Sequence, residues 1–232
     1  MPSSEEAKPK TYVIGDIHGC ALALFALVTE LPLRPIDTVV TLGDYVDRGP
    51  RSADVFKWLF KLRERCKLIP ILGNHDLAML QAWQSPSSVD YWLSIGGTDT
   101  LRSYGKNATI DSVPQEHMLF LRDCLLFHET ETHFFVHANY VPEIPLPEQS
   151  ELDLLWISLQ QRLPGPHQSG KIAVVGHSTQ PKGKILDLPH LKCIDTGCCY
   201  NGWLTCLELT TGQIWQVNDY AEWRRSEGDE YS

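Results

Sequence analysis

The chain has 232 residues, 43% of them hydrophobic and 21% charged, which suits one ordinary globular α/β domain. Its formal net charge of −9 at pH 7 argues against a nucleic-acid backbone as the main ligand, yet it leaves phosphate chemistry open, because bound cations reverse a local field. Seven cysteines, a polar Met1–Lys10 in place of an apolar leader, and no run approaching ~20 apolar residues predict reduced thiols, a cytoplasmic location and no membrane span.

Met1–Lys10 reads as a flexible tail and Thr11–Ile14 as a buried strand. That strand runs into GDIHG, Gly15–Gly19, where Asp16 and His18 stand at i and i+2; on an extended backbone this sends both side chains to one face. Cys20–Leu31 is apolar nearly all round, as a helix buried against a sheet is, and Pro32 and Pro35 end it. A second strand, Thr38–Leu42, leads into GDYVDRG, Gly43–Gly49. Ser52–Lys67 carries Val55, Trp58, Leu59 and Leu62 at helical spacing, with a charged face opposite. A third strand, Leu68–Leu72, ends at GNHD, Gly73–Asp76. This β-α-β-α-β order predicts parallel strands with right-handed crossovers.

A helix follows over Leu77–Trp83, and 85–107, polar with Tyr91, Trp92 and Tyr104, is expected to form a helical cap over the strand ends. Pro114–Asp123 is a further helix, with its proline at the start. From Leu125 the chain turns to short strands: Leu125–Glu129, His133–His137, Ile172–Val175, Ile185–Asp187, Leu191–Asp195, Leu204–Leu209 and Ile214–Asn218. Between them lie a proline-rich loop, Val141–Glu148, and a helix over Glu151–Leu163. These elements predict a single domain over 11–220, with a second sheet packed on the first, helices outside, and another tail over 221–232.

The polar motifs share one position. Asp16 and His18, Asp44 with Asp47 and Arg48, Asn74 with His75, His137 of VHAN, and His177 of GH all follow apolar strands. In α/β sheets the ligand crevice opens at the strands' C-terminal ends. Any one of these residues alone reads as a core histidine or a helix cap. Their joint occurrence points to a two-metal site. Asp16 and His18 would hold one cation and Asn74, His137 and His177 another, with Asp44 placed to bridge. Carboxylate, amide and imidazole donors suit Mn²⁺, Fe or Zn²⁺ better than a thiolate-preferring metal. His75 is then left as general acid, Asp47 as its orienting carboxylate, and Arg48 as a fork for phosphate oxygens. The implied reaction is in-line attack of metal-bound hydroxide on phosphorus, without a covalent phosphoenzyme. A cysteine nucleophile is excluded: no cysteine is followed by an arginine at the spacing an anion-cradling loop needs, and Cys198-Cys199 reads as packing.

GDIHG, GDYVDRG, GNHD, the histidine of VHAN, and GH followed by IDTG (Ile194–Gly197) resemble the phosphoprotein phosphatase family of metallophosphoesterases, over about Tyr12 to Leu209. The resemblance implies a four-layer α/β/β/α sandwich with a dinuclear centre, usually Mn²⁺. It assigns Asp16, His18 and Asp44 to one metal and Asp44, Asn74, His137 and His177 to the other, with Asn74 and Arg48 also facing the substrate phosphate. It implies a serine/threonine protein phosphatase acting on phosphoprotein or phosphopeptide, or alternatively a symmetrical dinucleoside tetraphosphate hydrolase acting on a nucleotide polyphosphate. A third reading, of another class, is a catalytically inert, metal-stabilised binding module. Two departures stand out. VHAN has Ala138-Asn139 where Ala-Gly or Gly-Gly is common, and Leu155-Trp156-Ile157 is followed by Ser158 where related sequences carry a second phosphate-clamping arginine. Arg162, one turn further along the expected helix, is the candidate substitute.

Overall fold

Alternation along short strands decides the layering of this protein. The computed structural model describes residues 8–224. The strands are β1 (Thr11–Ile14), β2 (Thr38–Thr41), β3 (Lys67–Pro70), β4 (Phe127–Glu129), β5 (His133–Val136), β6 (Ile172–Val175), β7 (Leu186–Leu188), β8 (Leu191–Cys193), β9 (Leu204–Glu208) and β10 (Ile214–Val217). The α-helices are α1 (Ala21–Glu30), α2 (Ser52–Arg65), α3 (Asn74–Gln84), α4 (Val89–Trp92), α5 (Thr98–Tyr104), α6 (Gln115–Arg122) and α7 (Glu151–Leu155).

Among the described residues, the strands form two five-stranded sheets, ordered β10-β9-β1-β2-β3 and β4-β5-β6-β8-β7. β1, β2 and β3 pair in parallel, as do β5, β6 and β8, while β4, β7, β9 and β10 are antiparallel additions. Val13, Val40, Ile69 and Leu207 of one sheet meet Phe135 and Val174 of the other in a dry seam. Their neighbours one residue away, Tyr12, Ile14 and Val39 on one side and Phe134, Val136, Ala173 and Val175 on the other, join the larger outer core with the helices. A period of two therefore gives each sheet two buried faces, and the result is the expected α/β/β/α sandwich.

Three boundaries differ from the sequence reading by more than two residues. The third helix begins at Asn74 instead of Leu77, because the Asp76 carboxylate accepts the Gly73 amide at 2.9 Å and so caps the first turn. The helix expected over Glu151–Leu163 stops at Leu155. There the Trp156 carbonyl, which a longer helix would bond to its own backbone, faces His177 Nε2 at 3.2 Å instead, and the Asn139 amide holds the following turn through the Arg162 carbonyl at 2.8 Å. The fold also continues past residue 220: Trp223 bridges to Val217, and the Arg224 amide donates to Gln216. Residues 1–7 and 225–232 of the two expected tails lie outside the described residues.

The entry to β2 is fixed by a buried acid. The Asp37 carboxylate accepts from the Lys10 amide (2.8 Å), the Arg34 amide (2.9 Å) and the Arg34 guanidinium (2.7 and 3.1 Å). Burial pushes its pKa up, but these donors outweigh it and hold the group at about 2. A depressed folded-state pKa means stability that is present above the unfolded carboxylate's pKa and lost as pH falls through the folded value. Asp37→Asn is therefore expected to cost ~1–2 kcal/mol at pH 7, after allowance for solvent screening, and nothing below about pH 2. Urea unfolding of both proteins across pH 2–7 checks this: the two stability curves must converge as the pH falls.

Candidate metal centre

The polar loops after β1, β2, β3, β5 and β6 converge at one edge of the two sheets, and strained backbone makes the convergence possible. His18, Asp44, Asp47, Arg48 and His177 all have left-handed φ, between 45° and 72°. Such conformations cost energy for residues with a Cβ, and they turn each side chain sharply off the end of its strand. Close approach does the rest. A Cβ on Gly73 would lie 2.2 Å from both the amide nitrogen and Oδ1 of Asp44, so only glycine lets the third loop touch the second.

Asp44 is the meeting point. Its Oδ2 lies 3.2 Å from His18 Nε2 and 3.5 Å from His137 Nε2, and its Oδ1 accepts the His75 amide at 3.0 Å. Two groups of ligand-competent side chains share it: His18, Asp44 and His75, and Asp44, His137 and His177. Asn74 Oδ1 joins the second group, 3.0 Å from both His137 Nε2 and His177 Nδ1. Backbone carbonyls orient the rings. Leu42 O accepts from His137 Nδ1 at 2.7 Å, Val46 O from His18 Nδ1 at 2.9 Å, and Trp156 O from His177 Nε2 at 3.2 Å.

That orientation tests the site for a cation. With one ring nitrogen of each histidine committed as a donor, the other presents a lone pair. Burial lowers the pKa of His137 and takes that of His177 to about 4, which favours the neutral form of both rings. The lone pairs of His137 and His177 therefore face the carbonyl oxygen of Asn74, acceptor against acceptor, inside a buried site. Carboxylates crowd in similarly. Asp16 is pushed well above its usual value by burial, by Asp195 and by Asp44, although it accepts the His177 amide at 3.0 Å. Burial also opposes ionisation of Asp44, but the imidazoles of His137, His75 and His18 outweigh it and hold its pKa well below normal. Converging acceptors of this kind are the ligand set of divalent cations, and imidazole, amide and carboxylate together fit Mn²⁺, Fe or Zn²⁺.

Beside this cluster lies a dyad. His75 Nδ1 is 2.8 Å from Asp47 Oδ2, and both side chains are buried. Asp47 Oδ1 accepts from Trp92 Nε1 at 3.0 Å and from the Thr100 hydroxyl at 2.8 Å. Arg48 reaches the centre, with Nη1 2.6 Å from His18 Nε2 and its guanidinium 5.4 Å from the Tyr200 ring centroid. A cavity of about 330 Å³ opens along Arg48, walled by Cys20, Cys199, Asn218, Asp219 and Tyr220.

The structure thus brings Asp16, His18, Asp44, Asn74, His75, His137 and His177 together, with Asp47 and Arg48 alongside. Arg162 stands differently from expectation. With α7 ending at Leu155 it lies on a separate turn, and its Nη2 is bound to Asp153 at 2.6 Å. The one-turn spacing from Ser158 is kept, with the Arg162 amide donating to the Ser158 carbonyl at 3.1 Å, while the guanidinium is occupied by Asp153. Asn139, the departure in VHAN, is buried and holds this same turn. Sequence reasoning gave no role to Asp195, Asp76, Trp92 or Thr100. Asp76 could have been found as the acid in the first turn of a helix; Trp92 and Thr100, 45 and 53 residues from Asp47, carried no local signal.

Comparison with known proteins agrees with this geometry. The model of the calcineurin-like phosphoesterase family matches residues 9–201. A symmetrical bis(5'-nucleosyl)-tetraphosphatase from Pseudomonas putida is 33% identical over 147 residues, 61% of this chain and 46% of that protein, so the match spans under half of the relative's length. The enzyme of the same name from Salmonella arizonae is 26% identical, with 94% of this chain and 98% of the relative aligned. Among solved structures, a protein provisionally named a diadenosine tetraphosphatase superposes with a TM-score of 0.71 at 21% identity, covering 91% of this chain and 94% of that one. A serine/threonine phosphatase from Saccharomyces cerevisiae superposes with a TM-score of 0.63 at 17% identity, covering 90% of this chain and 75% of that one. At such identities the superpositions speak for the fold alone. Family match, sandwich and converging ligand loops agree, and the chain belongs to the calcineurin-like phosphoesterase family.

Proposed function

We propose that this protein is a divalent-cation-dependent hydrolase that cleaves dinucleoside tetraphosphates symmetrically into two nucleoside diphosphates. The observation that carries the reaction class is the pair of ligand groups sharing Asp44, with the His75–Asp47 dyad set beside them. The similarity to symmetrical tetraphosphatases moves the substrate from the phosphoprotein first expected to a nucleotide polyphosphate. The cavity along Arg48 supports this, since its volume of about 330 Å³ falls within the ~300–1,000 Å³ range of small-ligand sites. The dyad weighs against an inert binding module, which has no use for a buried, oriented acid.

Asp16, His18 and Asp44 would hold one cation and Asp44, Asn74, His137 and His177 the other, with Mn²⁺ our assignment. When bound, the cations supply an acidified water and neutralise phosphoryl charge. The chain's own residues supply the remainder. Arg48 offers a planar fork to the phosphate oxygens and fixes their orientation. Water oxygen bonds to phosphorus as the bond to the leaving oxygen breaks. His75 then gives its Nε2 proton to that leaving oxygen, while Asp47 keeps the Nδ1–H directed at itself and stabilises the imidazolium before transfer. Burial of His75 and Asp47 keeps competing water from the proton.

Diadenosine tetraphosphate and a phosphothreonine peptide, each assayed with Mn²⁺ and with chelator, test the substrate. The expected outcome is metal-dependent release of ADP as the sole nucleotide, with the peptide cleaved at least ~100-fold more slowly; the reverse preference would return the assignment to a protein phosphatase. His75→Asn is expected to lower kcat on the dinucleotide ~10²–10⁴-fold with little change in KM. Asp44→Asn should remove metal as well as activity. Elemental analysis of the purified variant is expected to find less than half the bound metal of the parent protein, and retention of the full amount would contradict a shared ligand.

A further inference from the structure

The cap segment touches the dyad directly, and nothing in the proposed reaction yet uses it. It consists of α4, a π turn over Leu93–Gly97, and α5. Trp92 and Thr100 stand at either side of the turn, and both are fully buried. Their polar atoms end on the outer oxygen of Asp47, the one that does not face His75. The Thr100 hydroxyl is used twice: it accepts the Asp47 amide at 2.7 Å and donates to Asp47 Oδ1 at 2.8 Å. With its proton spent on Asp47, its remaining contact, Ser52 Oγ at 3.1 Å, must donate to it. Asp47 is thus gripped by backbone and side chain at once, at a residue whose φ of 72° is strained.

The next residue is held from the same segment. The Arg48 amide, at φ 68°, points to the Gly96 carbonyl at 3.4 Å. Gly96 itself has φ 131°, and a Cβ there would meet the Arg48 nitrogen at 3.0 Å and the Asp47 Cβ at 3.1 Å. The turn is shaped to lie against these two residues. A carboxylate with a free outer oxygen could rotate about its Cβ–Cγ bond; with Trp92 and Thr100 on that oxygen, the inner one stays 2.8 Å from His75 Nδ1.

We infer that Trp92 and Thr100 are positioning residues for proton donation: they lock Asp47, and through it they set the orientation of the His75 ring toward the leaving oxygen. The inference rests on the phosphoester chemistry and the role of His75 proposed above. It predicts a dependence on the leaving group. A poor leaving group needs the proton and suffers when the donor is misaligned; a good one departs as an anion and suffers less.

The test compares kcat/KM on phenyl phosphate with kcat/KM on 4-nitrophenyl phosphate for the wild type, Thr100→Val, Thr100→Ser, Trp92→Phe and His75→Asn, all with Mn²⁺. The ratio of the two values cancels the concentration of active enzyme, so partial unfolding of a variant does not imitate the effect. The phenyl-to-nitrophenyl ratio is expected to fall about tenfold in Thr100→Val and in Trp92→Phe, more in His75→Asn, and to return to within about twofold of wild type in Thr100→Ser, which keeps the hydroxyl. A wild-type ratio in Thr100→Val and Trp92→Phe, alongside a lowered ratio in His75→Asn, overturns the inference alone. A wild-type ratio in His75→Asn overturns the proton-donor role on which it rests. Failure of the wild type to cleave diadenosine tetraphosphate, with the ratios behaving as expected, overturns the substrate proposal and leaves this inference standing.

Discussion

The structure depends on one electrostatic conflict: too many hydrogen-bond acceptors buried in one place. Asp44 lies 1% exposed between imidazoles on different loops, with Asp16 and Asn74 also buried beside it. Leaving such groups unpaired in a low-dielectric interior is costly. The chain has not relieved the conflict with lysine or arginine from within the cluster; Arg48 touches it from the side, at His18. Instead, carbonyls of Leu42, Val46 and Trp156 fix the imidazoles so that their lone pairs face inward. The fold is arranged to present negative and lone-pair density to a cation, and the strained φ values of His18, Asp44 and His177 accompany that arrangement.

The sandwich explains how five distant segments are made to meet. Parallel strands send all their C-terminal ends to one edge, and both sheets contribute to it: β1, β2 and β3 from one, β5 and β6 from the other. The seam of Val13, Val40, Ile69, Phe135 and Val174 sets the sheets against each other, so the position of His137 and His177 relative to Asp44 is a consequence of apolar packing. Leu42 belongs to the same seam, and its carbonyl accepts from His137 Nδ1 at 2.7 Å, so the apolar packing is joined directly to the cluster.

Much of this was legible in the sequence because it is local. Polar motifs at the ends of apolar strands need only periodicity and the rule that α/β crevices open at strand C-termini. What the sequence hid was set by contacts between segments far apart. Glu151–Leu163 has helical composition throughout, but the helix ends at Leu155, where His177 and Asn139 draw on the backbone carbonyls around it. Arg162 was read as one helical turn from Ser158, and its amide does bond the Ser158 carbonyl, but its guanidinium pairs with Asp153, a contact that no local spacing announced. Trp92 and Thr100 were equally invisible: the hydrogen bonds that give them meaning reach back to Asp47 across the whole of α2, β3 and α3.

The cap changes how the dyad should be understood. A His–Asp pair alone fixes one ring nitrogen and leaves the carboxylate a rotational freedom. Here the freedom is removed by a segment that belongs to neither strand-end motif. Tyr91 and Trp92 are adjacent on α4, and they divide the work. The Trp92 indole is buried on Asp47, while Tyr91 is 48% exposed with its ring 6.5 Å from that of Trp156. Trp156 in turn carries the carbonyl that orients His177. The same short helix is thus connected on one side to the His75–Asp47 pair and on the other, through Trp156, to His177. A displacement of α4 would reach both at once, so the cap's packing constrains the His75–Asp47 pair and His177 together.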